Sequence, residues 1–89
     1  MRYERKKDWV EISGAADRPM RELLLIDGDS MDAAHNMAVE VTKDAHFEDR
    51  HGNEVDWRGN VFGLSVRQWN WWKAQVWAAA KDEKIDPEA

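Results

Sequence analysis

Cysteine is absent from this chain of 89 residues, which removes disulfides, thiolate nucleophiles and every zinc site built on sulfur. A reducing, cytoplasmic setting is the expected one. Long apolar runs are missing too: the longest are Leu23–Ile26 and Val76–Ala80, far short of the roughly 20 residues that cross a bilayer. No spanning helix is expected. The first seven residues are basic, but no apolar stretch follows them, so no secretory signal is expected either. There is no Gly-rich phosphate loop, and Ser13, Ser30 and Ser65 occupy turn or cap positions where backbone bonding explains them. Catalysis is therefore not expected, and neither is a cofactor.

What the chain does have is apolar mass. Hydrophobic residues make up 43% and six of the residues are tryptophan, enough to drive collapse of one small soluble domain and too few residues to build two. Its ends, about 1–6 and 85–89, are expected to fray. The formal charge of -5 is unevenly spread: +1 over residues 1–26, -7 over 27–56, +3 over 57–80 and -2 over 81–89. An acidic chain is repelled by nucleic acid unless its basic residues segregate into a patch, and it is attracted to basic protein surfaces. Protein partners are favoured over direct nucleic-acid contact.

Asp8–Ile12 alternates, with Val10 and Ile12 on one face, and predicts a strand. Residues 13–19 form a connection. The short apolar run within Met20–Ile26 suits a second strand buried on both faces, although Asp17 with Pro19 behind it could instead start a two-turn helix. The strand is preferred. Asp29 or Ser30 caps a helix whose small-residue stripe is Met31, Ala34, Ala38, Val41 and Ala45. Turn signals at 51–53 and 58–60 bracket one or two short strands within 54–64. The last helix carries the sharpest signals: Ser65 and Gln68 form a capping box, and Leu64 with Trp69 fits a hydrophobic staple. Winding places Val66, Trp69, Trp72, Val76, Trp77, Ala79 and Ala80 on its core face, with Lys81, Lys84 and Asp86-Pro87 as the stop.

On the opposite side of that helix Arg67, Trp71, Ala74 and Ala78 fall together. Arginine four residues before tryptophan can lay its guanidinium over the indole, and the two alanines leave a shallow groove. This has the composition of a partner-binding hot spot, or of a closed homodimer through the last helix. The plainer alternative is that Trp71 is covered by Met1 or Tyr3 of its own domain. The acidic middle segment, with Asp29, Asp32, Asp49 and Glu54, is a second candidate docking surface, suited to a protein whose usual ligand is nucleic acid; the alternative is a solvated face. His46, Glu48, Asp49 and His51 are metal-ligand types, but their spacing at a helix end makes a poor preformed site, and no metal is expected. For nucleic acid the candidates are Arg2, Arg5, Lys6 and Lys7 with Trp9, or Arg67 and Lys73 with Trp71 as a stacking platform.

The expected fold is α+β, in the order ββαβα: a small antiparallel sheet with two helices packed on it. A hairpin leading through Asp27-Gly28-Asp29-Ser30 into an Ala-rich helix resembles, in general design over residues 8–46, the small acidic cysteine-free proteins that bacteriophages make against host machinery, anti-CRISPR proteins among them. The resemblance implies a non-enzymatic inhibitor or regulator that occupies a partner surface. The alternative is a nucleic-acid-binding accessory protein.

Overall fold

The computed structural model describes residues 1–84, with backbone alone for 82–84. The alternation of β2 (Asp8–Ile12) turns Val10 and Ile12 inward, both without solvent exposure. This strand is the centre of a three-stranded antiparallel sheet, with β1 (Arg2–Arg5) on one side and β3 (Thr42–His46) on the other. Residues 2–5, expected within a frayed end, pair with β2 from Arg2 opposite Glu11 to Arg5 opposite Asp8. Met1 extends the pairing, donating to the carbonyl of Ile12 at 2.7 Å and accepting from its N–H at 2.8 Å. The hairpin turn is Lys6-Lys7, and Lys6 takes a φ of 55°, uncommon for a residue with a Cβ.

The partner of β2 was expected from residues 20–26, and these are helical instead. α1 (Met20–Leu23) starts behind Pro19, and a 3-10 turn follows over Leu24–Asp27. Leu23 and Ile26, three apart, reach the core while Met20, Leu24 and Leu25 stay exposed. The helical winding lets two of the apolar side chains bury and pairs the backbone locally, with Glu22 and Leu23 both donating to the carbonyl of Pro19. Arg18 reinforces it, lying 3.3 Å from Glu22 and 3.4 Å from Glu40.

α2 (Met31–Val41) begins where Ser30 accepts from the N–H of Ala33 at 3.2 Å, and it buries Ala34, His35, Met37, Ala38 and Val41. It stops at Val41, not at Ala45, because the chain turns directly into β3. One or two short strands were expected within 54–64. The structure has only a bridge between Glu48 and Glu54, then turns and a 3-10 turn at Val61–Gly63. Val55, Trp57 and Val61 are buried there without a ladder. The long elements thus follow the order ββαβα with α1 added, and the class is α+β with a small antiparallel sheet.

α3 (Val66–Lys84) closes the core. Trp69, Trp72, Val76, Ala79 and Ala80 are buried as its winding predicts, Trp77 is half-buried, and Val66 is 77% exposed. Val66 is the first residue of the helix and faces an open hollow beside Arg5 and Trp71 instead of the core. The stop signal at Asp86-Pro87 and the expected fraying of 85–89 lie outside the described residues.

Candidate functional site

The start of α3 is built as its sequence predicts. Gln68 donates its backbone N–H to Ser65 Oγ at 3.0 Å, and its side-chain oxygen accepts from the Ser65 N–H at 2.9 Å. The same amide does more than cap. Its nitrogen donates to Asp8 Oδ2 at 3.1 Å and to the carbonyl of Glu48 at 2.7 Å. Asp8 in turn accepts from the Glu48 N–H at 3.0 Å. One side chain therefore ties the hairpin, the loop after β3 and the helix start together, and these three segments wall a cleft.

That cleft holds about 650 Å³ and is lined by Arg5, Lys6 and Asp8 of the hairpin, residues 48–51 of the loop, and residues 63–65, 67 and 68. A second hollow of about 630 Å³ adjoins it and is lined by Arg5, Val66, Arg67, Asn70 and Trp71. Arg5 and Arg67 border both. Arg5 and Lys6, expected within a fraying end, thus stand beside the candidate helix face. Sequence reasoning had no signal for this, since Arg5 and Arg67 are brought together only by the sheet and helix packing.

Trp71 is not on a wholly solvated side of the helix. It is half-buried and packs against the core, its ring edge-on to Phe47 with centroids 6.3 Å apart and planes at 80°. The expected guanidinium contact with Arg67 is replaced by others: Arg2 stands 4.2 Å over Trp9, Arg58 4.5 Å over Trp57, and the ammonium of Lys73 5.5 Å from the centroid of Trp69. Ala74 is exposed and Ala78 half-buried, and neither lines the clefts. The acidic candidates do not come together as one surface. Asp49 lines the first cleft, Glu54 borders a separate hollow with Asp56 and Arg58, and Asp29 and Asp32 lie at the start of α2.

The loop of residues 47–55 is held by its own polar groups. Asp49 accepts from the N–H of His51 at 2.8 Å and of Asn53 at 2.9 Å, while Gly52 takes the left-handed φ of 84°. The two N–H groups, that of Asn53 first, hold the Asp49 carboxyl below the usual range. His46 Nε2 lies 2.7 Å from Glu48 and its Nδ1 lies 3.6 Å from Glu54. The hydrogen bond to Glu48 raises the imidazole above its ordinary value, with both carboxylates adding to the rise. His46, Glu48, Asp49 and His51 thus bond with one another and with the loop, and among the described residues no group of three is gathered around a metal position.

The core holds an aromatic cluster centred on Trp72, which has no solvent exposure. His35, Phe47, Trp57 and Trp69 ring it with centroids 5.4–5.9 Å away. Its indole N–H donates to Thr42 Oγ1 at 2.9 Å, and Thr42 donates to the carbonyl of Ala38 at 2.7 Å. Buried His35 has Nε2 2.6 Å from the carbonyl of Trp57; a carbonyl can only accept, so Nε2 carries the proton. Among the described residues no buried side-chain nitrogen or oxygen lacks a hydrogen-bond partner, and these bonds hold the cluster rigidly. Comparison with family models, with curated proteins and with solved structures gives no match.

Proposed function

We propose that this chain is a non-enzymatic protein-binding module, an inhibitor or regulator of the kind bacteriophages direct at host proteins. In this reading its contact surface is the junction of the hairpin turn with the start of α3: Arg5, Lys6, Val66, Arg67 and Trp71. The observation that carries it is the pair of adjoining clefts sharing Arg5 and Arg67, beside a Val66 that is 77% exposed. Tryptophan and arginine at the centre of a concave surface are the composition of interface hot spots. A tryptophan fixed by Phe47 loses little freedom when a partner covers its open side. No helix is long and apolar enough to cross a membrane among the described residues.

The test is affinity capture from the native cell, done with the unaltered chain and with Arg67→Glu, Val66→Asp and Leu24→Asp. Loss of the captured protein in the first two variants and retention in the third supports the reading. Equal loss in all three contradicts it. Self-association is scored on the same variants by light scattering, where a dimer lost in Val66→Asp places a second copy on this face.

A second reading, nucleic-acid binding, is favoured by the grouping of Arg5, Lys6, Arg50 and Arg67 around the first cleft with Trp71 next to it. Against it stand the -5 net charge and the three carboxylates on the same wall. A salt titration separates the two, since phosphate contacts lose affinity steeply with salt.

A further inference from the structure

The two clefts differ in charge, and the difference specifies what fits them. In the first, Asp8, Glu48 and Asp49 are each already engaged. Asp8 accepts from Gln68 and from the Glu48 N–H, Glu48 holds His46, and Asp49 accepts from two loop N–H groups. The cations are not. Arg5, Lys6 and Arg67 form no ion pair with a described residue, and Arg50 reaches only the His51 ring at 3.3 Å. The second cleft is simpler still: two guanidinium groups, Asn70, the half-buried face of Trp71 and exposed Val66, with no carboxylate in its lining.

An arrangement of two unpaired arginines beside an aromatic and an aliphatic surface has a definite complement. Guanidinium groups bind carboxylates through two parallel hydrogen bonds, and a tryptophan–valine wall takes an apolar side chain. Resting on the protein-binding reading above, we infer that the partner contributes a short acidic segment, with its carboxylates on Arg5 and Arg67 and a neighbouring apolar side chain against Trp71 and Val66. A polynucleotide suits the surface less well. Its continuous phosphate charge would meet Asp8, Glu48 and Asp49 along the first cleft, whereas a peptide can place single carboxylates at the two arginines and stop.

The probe is a phage-displayed library of random peptides, selected in parallel on the unaltered protein and on Arg5→Glu/Arg67→Glu, each checked for its fold by circular dichroism. The unaltered protein is expected to enrich aspartate or glutamate next to leucine, phenylalanine or tryptophan, and the charge-reversed variant to lose those sequences in favour of lysine and arginine. The best peptide, synthesised with a fluorescein label, should bind at least about tenfold more weakly to Arg67→Glu. It should change less than about twofold with Lys81→Glu, which makes the same charge change about 21 Å further along the helix. Basic or uncharged consensus sequences, no enrichment at all, or equal loss in Lys81→Glu would overturn the inference. Anisotropy with a fluorescein-labelled oligothymidine at physiological salt is the parallel arm, and tight binding there lost in Arg67→Glu overturns it in favour of nucleic acid. If cellular capture depends on Val66 and Arg67 but the selected acidic peptide does not compete, the acidic-segment inference fails while the binding-module reading stands.

Discussion

Three tryptophans within four positions of α3 do different work. Trp72 fills the centre of the aromatic cluster, Trp69 is 8% exposed at its edge, and Trp71 is held by Phe47 while leaving one side open. Alanine at position 72 or 69 leaves a cavity in a small core and should destabilise by about 3–5 kcal/mol in urea titrations, whereas Trp71→Ala should cost visibly less. Thr42 tests the polar half of the cluster. Thr42→Val keeps the shape but leaves the Trp72 indole N–H without an acceptor, an expected loss of about 1–3 kcal/mol. His46 adds a pH dependence. Because its folded pKa is raised, its contribution is complete below the ordinary imidazole value near 6.5 and is lost as pH rises through the folded value. Measured relative to the intrinsic base-catalysed rate, hydrogen-exchange protection of residues 47–54 should therefore fall from neutral to mildly alkaline pH, and His46→Gln should flatten that fall. A response unchanged in the variant would show that another group drives it.

At the scale of elements, Gln68 is the side chain on which the site geometry most depends. Gln68→Ala leaves the Ser65 Oγ cap on the backbone N–H of residue 68 but removes the side-chain half of the capping box and both ties to Asp8 and Glu48, and should cost about 2 kcal/mol or more in thermal and urea unfolding. Gln68→Glu can keep accepting from Ser65 but sets a carboxylate against Asp8. Its deficit should be large at neutral pH and shrink on acidification, and a deficit independent of pH would place the cost elsewhere. The cap itself was legible, since a serine three residues before a glutamine is a local pattern. The further ties were not, because Asp8 and Gln68 are 60 residues apart in sequence. β3 was hidden for a different reason. Glu11 faces Asp44 but Ile12 faces Thr42, so Lys43 is an extra residue at a bulge. Thr42 and Ala45 are both buried three positions apart, a helical spacing inside a strand. β1 was missed because Arg2–Arg5 buries little and owes its strand form to β2, and residues 20–26 because a short apolar run has no decisive period.

For the whole molecule, charge and topology together define the surface that matters. The net charge is -5, yet Arg5 and Lys6 from the hairpin, Arg50 from the loop and Arg67 from α3 meet at one junction. Sequence composition showed two separate basic stretches, the first seven residues and 57–80; the fold placed Arg5 and Lys6 beside Arg67. A second apolar exposure, at Met20, Leu24 and Leu25, belongs to α1 and the turn after it, so it serves as an internal comparison. The most direct measurement is photocrosslinking in the native cell with benzoylphenylalanine placed at position 66 or, separately, at position 24. Position 66 should yield a discrete protein adduct that disappears with Arg67→Glu, and position 24 should not yield that adduct. The same adduct from position 24, or none from position 66, would contradict the assignment of the hairpin and the start of α3 as the binding surface.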